Sequence, residues 1–204
     1  MKTGNQKTLL RPAKPEYDEG LLFARYIDEA AEGFFGFMLG RNSKSIIAKA
    51  FIETKHTLSY ENVIFAEKDG KVVGMSSSFS GVQHREFSEE PLKKAASRSA
   101  VRMKIVRTLF SPLWRILESI PNDDFYIQGI AVEPKLRGEG IGSILMNDLE
   151  SRARSNGSMR LSLDVSAKNK GAQKLYEKLG MAVLSKWPST KILPPVFVRM
   201  SKDL

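Results

Sequence analysis

The chain has 204 residues, 42% of them hydrophobic, and no cysteine, which predicts one packed domain and excludes disulfides, thiolate metal sites and a covalent cysteine intermediate. It contains neither an apolar run of about 18 residues nor an N-terminal signal core, so we expect a soluble, cytoplasmic protein. The net charge of +9 would suit a nucleic acid, but no nucleic-acid-binding motif accompanies it, and we expect it to serve solubility and a polyanionic cofactor.

The first fifty residues are predicted to form a short strand and two helices. Residues 8–13 are typical of an edge strand ended by proline. Apolar residues at helical spacing predict a helix over residues 18–33, and Ser43 is predicted to cap a second helix. Between them, residues 34–40 are apolar but interrupted by glycines, which indicates either core packing or part of a binding pocket.

A hairpin is predicted next. Residues 62–67 and 71–79 favour strands, and Lys68-Asp69-Gly70 links them. Asp-Gly is a strong signal for a tight turn between antiparallel strands. The two strands are therefore expected to be neighbours in one sheet.

Residues 89–120 are predicted to form a basic helical insert, which Pro112 divides into two helices. Its apolar stripe consists of Leu92, Ala96, Met103, Val106, Phe110, Leu113 and Leu117. The opposite face carries Lys93, Lys94, Arg98, Arg102, Lys104, Arg107 and Arg115. Three uses fit this pattern: a helix packed on the domain with a solvated basic face, a lid beside a substrate site, or a surface for a membrane or an acidic partner.

A glycine-rich turn follows the apolar run 125–132 and opens a helical pattern: Arg137-Gly138-Glu139-Gly140-Ile141-Gly142-Ser143. Glycines let the backbone approach a ligand, and the unpaired amides at a helix N-terminus attract an anion such as pyrophosphate. The Walker pattern fails because no Gly-Lys-Ser/Thr closes the turn, and the dinucleotide fingerprint fails because the third glycine falls one residue early. What remains is Arg-x-x-Gly-x-Gly before a helix.

The residues downstream extend this motif. Residues 161–165 are predicted to form a strand, and residues 169–181 follow the pattern Asn-x-x-Ala-x-x-Leu-Tyr-x-x-x-Gly-Phe, with Met181 in place of the final Phe. Together with Arg-x-x-Gly-x-Gly, this order and spacing resembles the GCN5-related N-acetyltransferase (GNAT) superfamily. The resemblance is specific over residues 125–183, which it marks as the acetyl-CoA-binding core, and loose elsewhere.

The resemblance implies a single α/β domain over residues 1–204. Its sheet would be mixed, mostly antiparallel, of about seven strands and split at its centre, with helices on both faces and the insert between strands 3 and 4. Residues 183–185 and 196–200 are expected to supply the last strands. The implied activity is acetyl transfer from acetyl-CoA to a primary amine by direct attack in a ternary complex, without a metal. The acceptor, a small molecule or a peptide or protein, and a homodimeric state stay open.

The same resemblance implies roles for particular residues. The pyrophosphate would lie on the loop formed by Arg137, Gly138, Glu139, Gly140, Ile141, Gly142 and Ser143. The pantetheine arm and the oxyanion would meet the backbone of Ile130, Ala131 and Val132. Asn169 would hydrogen-bond the cofactor's arm or cap the next helix. Tyr176 would protonate the departing thiolate as the general acid, or merely pack.

Strand 125–132 carries two further expectations. Gly129 is expected to mark a bulge or a close approach of another backbone or ligand. Tyr126 and Gln128 are expected to share a face with Ile130 and to line the acceptor side.

The general base is left open by the sequence. Candidates are Glu133, Asp123, Asp124, Tyr126 and Asp164, and a water relay would need none of them. His56 and His84 are isolated and are not expected to hold a metal. Two other functions compete with transfer: a regulatory protein that binds CoA without turnover, and a basic nucleic-acid or membrane-surface module.

Overall fold

The computed structural model describes residues 7–97, 99–109, 119–188 and 194–204, and no side chain is described for Arg107. The strands are β1 (Leu9–Pro12), β2 (Val63–Lys68), β3 (Lys71–Ser80), β4 (Asp124–Val132), β5 (Arg160–Ser166), β6 (Ala182–Trp187) and β7 (Phe197–Asp203). The helices are α1 (Tyr17–Ala30), α2 (Phe34–Leu39), α3 (Ser43–Phe51), α4 (Gly81–Arg85), α5 (Glu90–Ala96), α6 (Ser99–Leu109), α7 (Ile141–Ser155) and α8 (Lys170–Lys178).

The strands form one seven-stranded sheet in the order β1-β2-β3-β4-β5-β7-β6. Strands β4 and β5 pair in parallel, and the other recorded neighbours are antiparallel. A parallel pair needs a crossover, which α7 supplies. Pairing between β4 and β5 ends at Ile127 and Leu163, so the two strands separate beyond these residues. The predicted mixed sheet, split at its centre, is confirmed.

A β-bulge in β4 sets which side chains face each side of the sheet. Ser77 pairs with Gly129 but Ser78 pairs with Ile127, so Gln128 is the extra residue. The predicted irregularity at Gly129 is therefore present. Because the bulge shifts the alternation by one residue, Ile130 lies on the face opposite to Tyr126 and Gln128. The expectation that these three residues share a face is wrong for this reason.

Helices cover both faces of the sheet. On one face, α1 and α3 pack with Phe23, Tyr26, Ile47 and Phe51 in a buried cluster that reaches Met75 of β3. On the other face, α7 packs Met146, Leu149 and Ala153 against β5 and β7. The rings of Phe23 and Phe51 lie 5.2 Å apart, and removing either fully buried ring would cost about 3–5 kcal/mol. These contacts hold α1 and α7 on opposite sides of β4.

Gly129 is also a point of close approach. A Cβ there would lie 2.9 Å from Ile27 Cδ1 and 3.2 Å from Ala30 Cβ. The end of α1 therefore rests directly on the bulged part of β4. This contact brings the C-terminal turn of α1 beside the opening between β4 and β5.

Local predictions in the first half of the chain have mixed outcomes. The hairpin is confirmed, since Asp69 and Gly70, at φ 56° and 70°, form the two-residue turn that its sequence favours. Ser43 does not cap α3, however. Its amide donates to the Gly40 carbonyl at 3.0 Å, so it lies inside the first turn, and Asn42 precedes the helix without a side-chain cap.

The insert contains α5 and α6, which are separated at Ser97, where φ is 44°. The sequence placed the division at Pro112, which lies outside the described residues. Ala96, Met103 and Val106 of the predicted apolar stripe are buried, while Phe110, Leu113 and Leu117 also lie outside the described part. Among the described residues, no helix is long and apolar enough to cross a bilayer.

Candidate active site

A cleft of about 1790 Å³ runs from the glycine-rich loop, past the separation of β4 and β5, to the side chains of α2 and α5. Pockets for a single small ligand usually enclose about 300–1,000 Å³, so this cleft has room for two. Nearly all predicted cofactor residues line it: Ile130, Ala131, Val132, Arg137, Gly138, Gly140, Ile141, Gly142, Ser143, Asn169 and Tyr176. Glu139 is the exception, because its carboxylate pairs with Lys68 at 2.7 Å outside the cleft.

The glycine-rich loop presents unpaired amides at the start of α7. Gly138 and Gly140 have φ of 88° and 84°, a conformation that a side chain would strain. The Ile144 amide donates to the Gly140 carbonyl at 3.0 Å, so the three preceding helical amides have no partner within the helix. No side chain caps this end. The loop therefore offers an anion site of N–H groups and a positive helix end.

Arg137 lies beside these amides and contacts two elements. Its Nε donates to the Val132 carbonyl at 3.2 Å. Its guanidinium forms an ion pair with Glu29 at the end of α1. The arginine therefore joins β4, α1 and the loop at the mouth of the cleft.

Asn169 immediately precedes α8 as its N-cap residue. Its Oδ1 accepts from the Ala172 amide at 3.0 Å, and its Nδ2 donates to Glu32 at 3.0 Å. The predicted capping role is confirmed. The amide end that would contact a cofactor is engaged by a second carboxylate near the end of α1.

Tyr176 projects from α8 and packs against the cluster under α7. Burial raises the pKa of its phenol above the ordinary value of 10, because the charged form would be desolvated. Its hydroxyl makes no hydrogen bond to any residue in the described part of the chain. The phenol is therefore protonated at neutral pH and available to a ligand in the cleft.

The half of the cleft farther from the loop is lined by aromatic side chains. Phe79 lies at the centre of a cluster: its ring stacks on His84 at 5.4 Å and 11°, and meets Phe87 edge-on at 5.2 Å. Tyr126 lies 5.7 Å from the same ring. Residues 34–39 form α2, which buries Met38 and Leu39 while Phe34, Phe35 and Phe37 line the cleft. The segment thus contributes to core packing, and its role in binding stays a prediction.

Among the five general-base candidates, Tyr126 and Asp164 line the cleft. The Tyr126 hydroxyl donates to Asp164 Oδ2 at 3.1 Å. Arg199 pairs with the same carboxylate at 2.7 Å. Burial, followed by the Asp164 charge, holds the pKa of Tyr126 well above its ordinary value. A proton could reach Asp164 along this hydrogen bond only if the Tyr126 phenol gave up its own proton, and the raised pKa of the phenol opposes that.

The other three carboxylates lie away from the cleft. Glu133 pairs with Arg25 at 3.1 Å, and the fully buried Asp124 pairs with Arg160 at 2.7 Å. Asp123 is exposed, and its backbone carbonyl accepts from the Met159 amide at 2.9 Å. The carboxylates of Glu133 and Asp124 thus tie β4 to neighbouring elements, whereas the contact of Asp123 with Met159 is made by its backbone.

The His56 ring is held by hydrogen bonds to backbone groups, which indicates a structural role. Its Nε2 lies 2.8 Å from the Ala50 carbonyl and 3.1 Å from the Glu53 carbonyl, while the Leu58 amide donates to its Nδ1 at 3.3 Å. Two carbonyls require Nε2 to carry the proton, and the amide requires Nδ1 to accept. Within the described residues, no group of three His, Cys, Asp or Glu side chains is placed to hold a metal ion.

Two groups of cleft residues were not predicted from the sequence. Glu29 and Glu32 contact the cofactor candidates Arg137 and Asn169, and nothing local marks these acids. The aromatic cluster was also missed as a unit. A signal for part of it existed in Ser80 and Gln83, which form a capping box at the start of α4 and so position His84.

The chain belongs to the acetyltransferase (GNAT) family, whose sequence profile matches residues 41–181. It is 39% identical over 59 residues to a putative [ribosomal protein bS18]-alanine N-acetyltransferase of Bacillus subtilis (strain 168), which covers 29% of this chain and 39% of that protein. It is 33% identical over 72 residues to the uncharacterized N-acetyltransferase YdgE of the same strain, which covers 35% of this chain and 46% of that protein. The chain thus spans less than half the length of these relatives.

Solved structures share the fold over nearly the whole chain. An N-acetyltransferase from Staphylococcus aureus Mu50 superposes with a TM-score of 0.61 at 19% identity, with 95% of this chain and 99% of that one covered. The ribosomal-protein-S18-alanine N-acetyltransferase of Escherichia coli gives 0.54 at 16% identity, with 97% and 94% covered. At these identities the likeness concerns the fold.

Proposed function

We propose that this protein transfers an acetyl group from acetyl-CoA to a primary amine by direct attack, with residues 125–183 as the cofactor-binding core. One observation carries the proposal. A single cleft joins unpaired amides at the start of α7 to the separation of β4 and β5 and then to an aromatic-lined half. That path suits a diphosphate joined to an extended arm, with a second compartment for the acceptor.

The residues present fit acetyl-CoA. The loop amides and Arg137 would hold the pyrophosphate. Beyond Ile127, the edge of β4 that faces β5 pairs with no strand among the described residues, so backbone groups of Ile130, Ala131 and Val132 would pair with the pantetheine arm as a strand would. When bound, the cofactor supplies an activated thioester carbonyl.

The chemistry needs one bond made and one broken. The amine nitrogen attacks the carbonyl carbon, and as the tetrahedral intermediate collapses the carbon–sulfur bond breaks with its electron pair on sulfur. Tyr176 gives its proton to that sulfur and is reprotonated from solvent. An ammonium acceptor loses two protons in total, one that ends on the CoA thiol and one released to solvent. The products are then the acetylated amine, the CoA thiol and one proton.

The first proton lost by the acceptor amine can be transferred by two routes, through the Tyr126–Asp164 pair or through water. Tyr126 and Asp164 form a hydrogen-bonded pair at 3.1 Å on the aromatic side of the cleft. The Asp164 carboxylate is already engaged by Arg199 at 2.7 Å and by the Tyr126 hydroxyl, and the raised pKa of Tyr126 makes the phenol a poor intermediary. We therefore favour release through water, with Tyr126 as a hydrogen-bonding surface for the amine.

Two measurements test the proposal. Calorimetry should detect CoA binding, and thiol release from acetyl-CoA should rise when pooled amines and peptides are added. CoA binding with no amine-dependent release would favour a regulatory CoA-binding protein. Absence of CoA binding, with salt-sensitive binding of DNA or anionic vesicles instead, would favour the basic surface module.

A further inference from the structure

We propose that the acceptor is a small monoamine whose amino group is joined by a short chain to an aromatic or comparably bulky apolar body. This inference rests on the proposed acetyl transfer and concerns the far half of the same cleft. Three independent features of that half carry it: the aromatic cluster, a second wall of apolar side chains, and the distribution of charge.

The aromatic cluster forms one wall. Phe79, His84 and Phe87 contact one another pairwise with centroid distances between 5.2 and 6.1 Å. Phe87 is half-buried and faces the cleft, whereas Phe79 is 2% exposed. Such rings bind another ring by offset or edge contacts and offer their faces to a cation.

A second, apolar wall comes from α2, α5 and α6. Phe34, Phe35, Leu92 and Met103 line it. Arg102 of α6 fixes this wall, because its Nη2 and Nε donate to the Phe37 carbonyl at 2.8 and 3.2 Å. An apolar body that contacts both walls would have its surface removed from water on each of those sides.

Charge in this half selects against anions. Among described cleft residues, the Lys and Arg side chains are Arg137, Lys168 and Lys170, which lie at the glycine-rich loop and beside Asn169, so they belong to the cofactor end. The carboxylates of the far half are Asp164 and Glu89. Arg199 pairs with the first at 2.7 Å and Lys93 with the second at 3.4 Å. A single ammonium over aromatic faces fits this balance, while an anionic or polycationic acceptor does not.

The apolar walls act on the amine in the opposite sense to the aromatic faces and favour its neutral, reactive form. Burial in apolar surroundings disfavours an ammonium and so lowers its pKa toward neutrality. A peptide or a polyhydroxylated amine would instead bring several polar groups that lose their hydrogen bonds to water. The side-chain oxygen of Gln128, a polar residue of β4 that lines the cleft, already accepts from the Ser77 hydroxyl at 2.9 Å. The walls thus match an apolar body better than a polar one.

The test compares four acceptors at saturating acetyl-CoA: 2-phenylethylamine, ethanolamine, spermidine and a hexapeptide that begins with alanine. Burying a phenyl ring corresponds to roughly ten- to a hundredfold in kcat/KM, so 2-phenylethylamine should exceed ethanolamine by at least about tenfold. Phe87→Ala should lower kcat/KM for 2-phenylethylamine about tenfold, and Phe87→Leu should recover part of it. CoA affinity should stay the same in both variants.

A matched control is available on α4. Val82 is 55% exposed and does not line the cleft, so Val82→Ala should behave as the unmodified protein. Equal or better use of the alanine peptide, spermidine or ethanolamine, or no accepted amine despite CoA binding, would overturn the inference and leave the cofactor assignment intact. Failure of the unmodified protein to bind CoA would overturn the proposed function as well.

Discussion

Arg137 forms an ion pair with Glu29 across the mouth of the cleft. Two residues proposed for the cofactor are thus engaged by acids near the end of α1, since Asn169 donates to Glu32 at 3.0 Å. A pyrophosphate that binds Arg137 must compete with the Glu29 carboxylate. The end of α1 therefore sets how much of the arginine's charge a ligand can use.

Glu29→Gln should tighten CoA binding by about two- to fivefold, because partly exposed ion pairs contribute up to about 1 kcal/mol. The gain should shrink as salt rises. Calorimetry measures it, with Glu16→Gln at the other end of α1 as a control for the same change of charge. Weaker CoA binding in Glu29→Gln would mean that the acid positions Arg137 for the cofactor.

Gly142→Val tests the glycine-rich loop more cleanly than a change at Gly140. Apart from its chain neighbours and its own helix backbone, no atom of the described residues lies within 4 Å of a Cβ built at Gly142, whereas Gly140 has φ of 84° and would be strained by any side chain. Gly142→Val should therefore leave the melting temperature close to that of the unmodified protein and weaken CoA binding by at least about tenfold, or about 1.4 kcal/mol. Unchanged affinity in the folded variant would remove Gly142 from the binding surface.

Tyr176→Phe should lower the turnover number by roughly ten- to a thousandfold, with little change in stability or CoA affinity. A donor with a more acidic thiol should recover part of the rate. Because burial raises the pKa of this phenol above 10, the acid form persists through the neutral and mildly alkaline range. The turnover number should therefore not fall between pH 7 and about 9.5, and a wild-type rate in Tyr176→Phe would leave the tyrosine a packing residue.

His56 should make stability depend on pH. Burial lowers the pKa of its imidazole in the folded protein, against about 6.5 when unfolded. Its contribution is complete above that unfolded value and is lost as pH falls toward the folded one, by up to about 1.4 kcal/mol per pH unit. Urea unfolding at pH 7.5 and 5.5 should show this fall in the unmodified protein and in His84→Gln, but a flatter profile in His56→Gln. Equal slopes in all three would exclude His56 as the cause.

Arg102→Ala tests whether the insert holds the acceptor wall. Two hydrogen bonds to the Phe37 carbonyl would be lost, so α2 should loosen and the acceptor KM should rise by about three- to tenfold, with CoA affinity kept. Lys104→Ala, an exposed change on the same helix, serves as the control. Steady-state kinetics with the best acceptor decides, and matching KM values would leave α6 a packed helix with a solvated face.

The sequence by itself determined the features encoded by a few adjacent residues. Asp69-Gly70 specified the hairpin, and Gly138 and Gly140 specified a left-handed loop before α7, because only certain residues adopt positive φ without strain. Helical and strand periodicity then gave most of the other elements, though not the short helices α2 and α4, since the spacing of apolar side chains follows directly from each backbone geometry. The family pattern over residues 125–183 is of this local kind.

The tertiary structure decided whatever depends on strand register and on contacts between distant segments. One extra residue, Gln128, turned Ile130 to the other face of β4. Glu29 and Arg137 are 108 residues apart, and Phe79, Phe87 and Tyr126 come from separate elements. Local patterns constrain the backbone only over a few residues, whereas these juxtapositions arise from packing that closes long loops. For that reason the glycine-rich loop at one end of the cleft was predictable and the aromatic cluster at the other end was not.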